Sequence, residues 1–238
     1  MKLDIKKYGE NSLILEVEEQ ISEEQLLRLI QLKNRFKKSL TEDLHFVQSS
    51  YHNILLSFKD KVDEKMIDKV RSFAHLSEES LALKNRKLWH IPVCYEERFA
   101  LDLNELSIKK GLSREEIVKV HTQEEYLLYF MGFLPGFCYL GGLNPQLFHP
   151  RKTIPRQVTP KGAVAIGGQQ TGVYPVESPG GWHVIGNTPL DLFQSNMQKE
   201  QRLKEGDKVQ FVSITQKEYV FLKTQVERGE YHLKSIPC

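Results

Sequence analysis

The sequence predicts two parts of different class: an α+β domain over residues 1–85, and an all-β domain over residues 86–238 that forms a barrel or a sandwich. Glycine and proline usage divides the chain, because 19 of its 25 Gly and Pro residues lie between Gly132 and Pro189. The first 91 positions hold one such residue, Gly9. Short apolar runs between Gly/Pro turns are typical of barrels and sandwiches, so we expect the boundary near residues 83–90.

In the first part, the apolar periodicities predict a small sheet with helices on one face. Alternating apolar side chains in "SLILEV" and "NILLSF" indicate strands. Between them, Ser22 and Gln25 predict a capping box at the start of a helix that carries Leu26, Leu29 and Ile30. We expect the order strand, helix, two strands, helix, and then a strand at "KLWHIPV".

The second helix of this part is indicated by one apolar stripe. The residues of the stripe are Val62, Met66, Val70, Phe73 and Ala74. Their successive spacings of four, four, three and one place them on one face of a helix. The stripe therefore predicts a helix that packs on the sheet.

The second part begins with one helix and continues with short strands. Ser113 and Glu116 predict a capping box for the helix in "SREEIVKVH". The runs that predict strands beyond it are "YLLYFMGF", "AVAIGG", "GVYPV", "WHVIG", "KVQFVSI" and "YVFLK". Their spacing predicts a barrel or sandwich.

Composition and charge exclude several classes of protein. Apolar residues make up 40% of the chain and charged residues 27%, as in globular proteins. The formal net charge of +2 gives no case for a nucleic-acid partner. The N-terminal residues do not form a signal peptide, and no apolar run reaches the ~18–20 residues that span a bilayer. We therefore expect a cytoplasmic protein without a membrane or nucleic-acid partner.

Cysteines and standard catalytic motifs give little support for an enzyme site. Cys94, Cys138 and Cys238 are widely spaced and odd in number, so we interpret them as reduced thiols. The stretches "GGLNPQ" and "GGQQTG" lack the lysine of a P-loop, and the sequence has no GxSxG elbow or HExxH helix. We therefore expect no cofactor in this chain and no binding of ATP by the chain alone.

Histidine and arginine residues of the second part are the candidate polar groups. His121 ends the predicted helix, where a protonated imidazole gains from the helix dipole; in a pocket it could act as acid, base or ligand. Arg151 and Arg156 suit a carboxylate or a phosphate, or belong to a solvated basic loop. His149 and His183 with His121 are weak candidates for a metal site, and we expect none.

Residues 174–189, "YPVESPGGWHVIGNTP", combine three prolines, three glycines, a tryptophan and a histidine. Glycine allows close backbone approach and proline fixes φ, so the stretch has few alternative conformations. Rigid loops of this kind position groups against a ligand. They also close barrel corners, and Trp182 could equally be a core residue.

Two long segments carry a resemblance to a known family. They are "HTQEEYLLYFMGFLPGFCYLGGL" and "HPRKTIPRQVTPKGAVAIGGQQTGVYPVESPGGWHVIGNTPLDLF". Together they resemble the family of KipI and the 5-oxoprolinase B subunit (PxpB), which is related to one half of allophanate hydrolase and to the carboxyltransferase part of urea carboxylase. The resemblance is strong over residues 88–215. It implies a small α+β domain followed by a cyclophilin-like β-barrel.

The family motifs, matched position by position, imply a set of site residues. His121 and Arg156 are implied as catalytic. The residues implied for binding substrate or a partner are Phe133, Pro135, Gly136, Phe137, Tyr139, Gln170, Tyr174, Ser178, Gly180, Gly181 and Trp182. Lys161 and Ala163 depart from the motif, which has a small residue and a hydroxyl there. We hypothesise that Tyr174, Trp182 and the "SPGG" turn form a rigid wall of a pocket of the barrel, with polar groups from His121 and Arg156.

The resemblance implies one component of bacterial 5-oxoprolinase, which cleaves 5-oxo-L-proline to L-glutamate with ATP hydrolysis. Its partners would be the KipA-like C subunit and the A subunit of that enzyme, with ATP bound outside this chain and this chain inactive alone. The alternatives are a KipI-like inhibitor of sporulation histidine kinase autophosphorylation and a component of allophanate hydrolase or urea carboxylase. Prolyl isomerase activity is not implied, because a fold does not carry a function.

Overall fold

The computed structural model describes residues 3–18, 22–74, 85–192, 202–231 and 233–238. The chain divides into two compact units, Met1–Lys84 and Asn85–Cys238. They are termed the N-terminal unit and the barrel unit below. That each unit is an independent domain, with a border between residues 85 and 86, stays a prediction.

The described residues of the N-terminal unit form a four-stranded antiparallel sheet and two helices. The elements are β1 (Asp4–Lys7), β2 (Ser12–Glu16), α1 (Glu23–Ser39), β3 (Leu44–Ser49), β4 (Asn53–Phe58) and α2 (Glu64–Phe73). The strand order is β1-β2-β4-β3. The predicted order of elements is confirmed from β2 onward. The strand β1 was missed because it carries a single apolar residue, Ile5, and forms through backbone pairing with β2.

Side-chain caps begin both helices of this unit. The Ser22 hydroxyl accepts a hydrogen bond from the Gln25 backbone N–H at 3.2 Å, as predicted. The Gln25 side chain instead donates to the carbonyl oxygen of Glu18 at 3.0 Å, so only half of the predicted capping box forms. Asp63 caps α2 by accepting from the Met66 N–H at 2.8 Å.

Alternate residues of the central strands form the core of the N-terminal unit. Leu13 and Leu15 of β2 and Ile54 and Leu56 of β4 are at most 1% exposed. They pack in one cluster with Phe36 of α1 and with residues of α2. Since side chains two apart share a face of a strand, both helices lie on the same face of the sheet.

The described residues of the barrel unit form ten strands, three helices and a 3₁₀ turn at Pro145–Leu147. The strands are β5 (Lys87–Cys94), β6 (Tyr126–Met131), β7 (Cys138–Gly141), β8 (Arg156–Thr159), β9 (Ala163–Gly167), β10 (Gln170–Val173), β11 (Ser178–Gly180), β12 (His183–Asn187), β13 (Lys208–Ile214) and β14 (Ser235–Pro237). The helices are α3 (Leu103–Lys110), α4 (Arg114–Gln123) and α5 (Gln216–Glu227).

Among the described strands of this unit, seven close into a barrel. Their order is β12-β9-β10-β7-β6-β13-β5, and β5 returns to β12 where Cys94 pairs with Asn187. Strands β13 and β5 run parallel. The strand β14 pairs with the other end of β5, and β8 and β11 form a separate two-stranded ribbon. The prediction of a β-barrel is therefore confirmed.

The expectation that this part is all-β is wrong, because three helices accompany the barrel in the described residues. The helix α4 begins after Ser113 as predicted, with both bonds of the capping box to Glu116. The run "YVFLK" was predicted as a strand but lies in α5. Thr215 and Glu218 form a second capping box there, and this helix start outweighs the β propensity of Tyr, Val and Phe.

The wall of the barrel has an apolar cluster on each face. Along β9, Val164 and Ile166 join the interior cluster, which draws residues from all seven strands. Ala163 and Ala165 alternate with them and join an outer cluster that contains Trp182. The period of two along a strand produces this division.

No helix in the described part of the chain is long and apolar enough to cross a membrane.

Replacing Gly172 with alanine is expected to lower the free energy of unfolding by about 1–3 kcal/mol, the usual effect of overpacking. The new Cβ would lie 2.5 Å from the carbonyl oxygen of Cys138 and 3.1 Å from the Trp182 ring. Gly181→Ala is the control, because its Cβ meets nothing closer than 3.7 Å. Urea unfolding of both variants measures the difference. Equal stabilities would contradict the packing of the outer cluster against β10.

Candidate functional site

One buried carboxylate, that of Asp102, connects several elements of the barrel unit. Asp102 precedes α3 and is 3% exposed. The Arg156 guanidinium on β8 donates to both of its oxygens, at 2.9 and 3.0 Å. The backbone N–H of Val184 in β12 donates at 2.7 Å, and the Lys152 Nζ lies 2.9 Å away. A buried carboxylate is stable only when it is paired in this way.

Lys152 extends these contacts to the surface. Its ammonium also lies 3.2 Å from the Glu105 Oε2. The hydrogen bond from Lys109, followed by that from Lys152, lowers the pKa of the Glu105 carboxyl to about 2. Asp102, Glu105, Lys152 and Arg156 are termed the Asp102 cluster. With two acidic and two basic groups, its charges balance.

Most of the "SPGG" segment, predicted as a turn, forms strand β11, and strand pairing places Arg156 beside it. Arg156 lies opposite Gly180 in the β8–β11 ribbon. A Cβ at Gly180 would lie 2.4 Å from the Tyr174 hydroxyl, so the close approach requires glycine. The carbonyl of Gly181 accepts from the Lys152 N–H at 2.7 Å. The "SPGG" segment is thus attached to the Asp102 cluster through its main chain, opposite Arg156 and bonded to Lys152.

Several predicted binding residues form the aromatic part of the outer cluster. The Phe137 ring contacts those of Tyr139, Tyr174 and Trp182, with centroids 4.6, 4.8 and 5.5 Å away. The Arg151 guanidinium lies 5.5 Å from the Trp182 ring centre, within the range of a cation–π contact. Trp182 and Tyr174 are 4% and 2% exposed. The two rings are therefore packed in the outer cluster, and the Arg151 guanidinium lies at the edge of this aromatic wall.

The loop before β7 holds an exposed aromatic residue in strained backbone. Phe133 has a φ of +62°, and the following N–H donates to the carbonyl of Gly132 at 2.7 Å. This bond closes a three-residue turn, and the positive φ is that of the rare classic γ-turn. The Phe133 side chain is 66% exposed and meets Phe137 edge-on at 6.0 Å. Pro135 is exposed and Gly136, at φ +89°, is buried.

Two further predicted residues carry buried polar atoms without a hydrogen-bond partner. They are Gln170, through Oε1, and Ser178, through Oγ. Thr159 lies opposite Ser178 in the ribbon. Its buried hydroxyl also has no hydrogen-bond partner among the described residues. Unpartnered buried polar atoms are uncommon in folded proteins, so these three atoms are an unusual feature of this part of the barrel unit. Sequence analysis did not single out Thr159, whose lone hydroxyl in a strand gives no signal.

His121 lies apart from this group, with its ring against the interior cluster. It is 0% exposed and stacks on Phe211 at 4.7 Å. The Thr171 hydroxyl donates to the carbonyl of Ala165, so it accepts from the His121 Nε2–H at 2.9 Å. The Tyr95 hydroxyl then donates to Nδ1 at 2.8 Å. Burial lowers the pKa of the imidazole to about 3, so in this conformation it is neutral with both nitrogens engaged.

His121 and Trp182 therefore do not share a pocket of the barrel, contrary to the hypothesis. The ring of His121 packs on the interior cluster, whereas Tyr174 and Trp182 belong to the outer one. The two sets lie on opposite faces of the barrel wall. Periodicity identifies which residues are buried but not which face of a closed sheet they occupy. The catalytic roles of His121 and Arg156 stay predictions.

Sequence analysis also missed Asp102 and Lys152, which complete the surroundings of Arg156. Asp102 directly precedes a helix and so resembles a simple cap, yet its side chain makes no cap hydrogen bond. Its true partners lie about 50 to 80 positions away in sequence. No local pattern predicts such a contact.

His149 and His183 meet in the structure, but without His121. Their ring centroids are 4.6 Å apart. The His183 Nε2 donates to the carbonyl of Pro150 at 3.1 Å, and its Nδ1 has no partner. Burial lowers the pKa of both imidazoles. The three-histidine arrangement considered from the sequence does not form.

A separate cleft of about 650 Å³ opens between α4 and the turn from β13 to α5. Its lining includes Tyr95, Arg114, Val118, Ser213 and Ile214. None of the predicted site residues lines it. The Tyr95 hydroxyl bonds to His121, so Tyr95 connects this cleft to that histidine.

Comparisons with known proteins identify the family. Residues 3–203 match the model of the carboxyltransferase domain, subdomain C and D. The 5-oxoprolinase B subunit of Escherichia coli O157:H7 is 37% identical over 207 residues, which cover 86% of this chain and 93% of that protein. The chain belongs to this family.

Two further comparisons cover only part of the other protein. The 5-oxoprolinase B subunit of Bacillus subtilis (strain 168) is 47% identical over 135 residues, covering 57% of this chain and 56% of that protein. The match thus spans about half the length of that relative. The K. lactis urea amidolyase structure has a TM-score of 0.83 at 17% identity, covering 99% of this chain and 16% of the other. At that identity the likeness shows the shared fold alone.

Lowering the pH from 7 to 5 is expected to destabilise this carboxyltransferase-family fold through His121. The unfolded imidazole takes up a proton near pH 6.5, but the folded one only near pH 3. Between these values the unfolded chain binds more protons, so the free energy of unfolding falls as the pH falls. At pH 5 the loss from this group is about 2 kcal/mol. Urea unfolding at both pH values measures it.

The variant His121→Gln is expected to lose that part of the pH dependence, because glutamine does not titrate. Other groups contribute equally to both proteins, so the difference between the two slopes isolates His121. Identical slopes in the two proteins would show that the buried imidazole is not held neutral.

Proposed function

We propose that this chain is the B subunit of a 5-oxoprolinase, a complex that cleaves 5-oxo-L-proline to L-glutamate with ATP hydrolysis. The observation that carries the proposal is the 37% identity to a protein named as the 5-oxoprolinase B subunit, over 93% of that protein's length. That name refers to an assembly of several chains. The proposed partners are the KipA-like C subunit and the A subunit, and the proposed location is the cytoplasm.

The proposed contact with substrate or partner is the outer face of a cyclophilin-like barrel. Arg151 lies at the rim of the aromatic wall, over Trp182, and its guanidinium has no ion pair among the described residues. A guanidinium fork matches a carboxylate such as that of 5-oxoproline or of an acidic partner loop. Arg156 is proposed to keep the wall and the "SPGG" turn in place, because Asp102 holds both of its terminal nitrogens.

The nucleotide chemistry is proposed to reside in another chain of the complex. The glycine-rich stretches of this chain lack the lysine of a P-loop. We therefore propose that another polypeptide of the complex hydrolyses ATP, and we expect the isolated chain to be inactive. Inhibition of a sensor histidine kinase and urea or allophanate chemistry stay predictions of the resemblance.

The first test is release of glutamate from 5-oxoproline with ATP. The three subunits are purified separately and combined with or without this chain. We expect glutamate only in the complete mixture, since the proposal makes this chain an obligatory component. Undiminished glutamate without the chain would contradict the proposed function. The histidine kinase alternative is then tested by measuring kinase autophosphorylation in the presence of the chain.

The second test compares two arginine substitutions in the complete complex. Arg156→Lys keeps the charge but loses the two-pronged bond to Asp102, so we expect glutamate release to fall at least about tenfold, as for loss of a strong charge-assisted contact. Arg228→Ala, at the end of α5, is the control and is expected to leave the rate unchanged. Circular dichroism establishes that both variants are folded. Full activity of folded Arg156→Lys and Trp182→Ala variants would exclude the outer face as the site.

A further inference from the structure

His183 has the hydrogen-bonding arrangement of a metal-binding histidine. Its side chain is 2% exposed, and its Nε2 donates to the carbonyl oxygen of Pro150 at 3.1 Å. The Nδ1 atom therefore carries a lone pair, and no described residue forms a hydrogen bond with it. Histidines that bind metals generally donate their other N–H to a carbonyl or a carboxylate, which fixes the tautomer and orients the ring.

Two carboxylates lie beside this imidazole. One potential ligand atom from each of His183, Asp102 and Glu105 lies within 4.8 Å of the other two. Atoms bound to one Zn²⁺ at about 2.1 Å are about 3–4 Å from one another, so only a small contraction is required. Metal-binding carboxylates are themselves hydrogen-bonded to outer groups. Asp102 has such support from Arg156 and from the Val184 N–H.

Hydrogen bonds between Asp102 and the main chain of Val184 fix the position of Asp102 relative to His183, the residue before Val184. The Asp102 N–H donates to the carbonyl of Val184 at 2.8 Å, and the Val184 N–H donates back to the Asp102 carboxylate at 2.7 Å. Val184 directly follows His183 in β12. Glu105 lies in the first turn of α3, and 44% of its side chain is exposed. Two ligands are thus held by the main chain, whereas Glu105 is more exposed and is held by its contacts with Lys109 and Lys152.

From this geometry we infer that His183, Asp102 and Glu105 form a binding site for a divalent transition-metal ion. Imidazole and carboxylate ligands together suit Zn²⁺, which serves as the probe below. The inference does not depend on the proposed function. It differs from the sequence expectation of no metal site, because neither Asp102 nor Glu105 was connected to His183 by any local pattern.

Lys152 competes with the ion for the same two carboxylates. Its ammonium lies 2.9 Å from the Asp102 oxygen and 3.2 Å from the Glu105 oxygen. The Lys152 side chain is 17% exposed, and binding of the ion requires its ammonium to leave the two carboxylates. Exchange of one positive charge for two raises the net charge of the cluster by one. We therefore expect moderate affinity in the natural chain and tighter binding when the lysine is removed.

The test is Zn²⁺ binding by the full chain, measured by competition with a chromophoric chelator. The natural chain is expected to bind one ion, Lys152→Met to bind it about tenfold more tightly, and His183→Gln at least about tenfold more weakly. The matched controls are Lys217→Met on α5 and His90→Gln on β5, which are expected to leave the affinity unchanged. Circular dichroism and thermal unfolding first establish that each variant is folded.

If His183→Gln does not fold, the exposed position Glu105 provides the second variant, Glu105→Gln, with the same expected weakening. Zinc binding that is equal in the natural chain and in the folded ligand variants would show an adventitious ion only, for example at the exposed Cys238. That result would overturn the inference. The inference would also be overturned for the natural chain if only the Lys152→Met variant bound zinc, or if none of the proteins bound it.

Discussion

The carboxylate of Asp102 is the contact on which the outer side of the barrel unit depends. It joins the start of α3, β12 through Val184, β8 through Arg156, and the segment before β8 through Lys152. Each donor belongs to a separate stretch of chain, so the carboxylate determines where these stretches meet. A buried charge that loses one partner costs about 3–5 kcal/mol. The ribbon of β8 and β11 is therefore attached to the barrel by an ion pair as well as by packing.

The packing of the outer face depends on the ion pair between Asp102 and Arg156. With Arg156 fixed, Gly180 lies against Tyr174, and the chain continues to Trp182, whose indole lies against Gly167 and Gly172. A Cβ at any of these three glycines would lie 2.4–2.6 Å from a neighbouring atom. The flat rings are thus accommodated because β9, β10 and β11 present bare backbone to them. The strands β9 and β10 also present branched side chains to the interior, so the two faces of these strands contribute to two separate apolar clusters.

The parts of this structure that could be predicted are those that depend on neighbouring residues. Ser113 with Glu116 identified α4, and alternation identified β2, β4 and most strands of the barrel. Thr215 and Glu218 form a capping box at the start of α5. This pattern would have predicted the helix if it had been given more weight than the β propensity of "YVFLK". The contacts of Asp102 and the closure of β5 onto β12 join residues about 50 to 95 positions apart. Periodicity contains no information about such pairs, so the surroundings of Arg156 were not predictable.

This division also changes which residues point to a function. Trp182, Tyr174 and the glycines around them are required by packing, so their presence alone does not indicate a ligand. Other features have no such explanation: the positive φ and 66% exposure of Phe133, the guanidinium of Arg151 at the rim of the wall, and the unpartnered His183 Nδ1 and Ser178 Oγ. Strained backbone and unpartnered buried atoms cost free energy that folding alone does not recover. Phe133 and Arg151 contact rings of the outer cluster, so the outer face is where a ligand or partner would offset part of this cost. His183 alternates with Val184 of that cluster along β12 and lies on the other side of the strand.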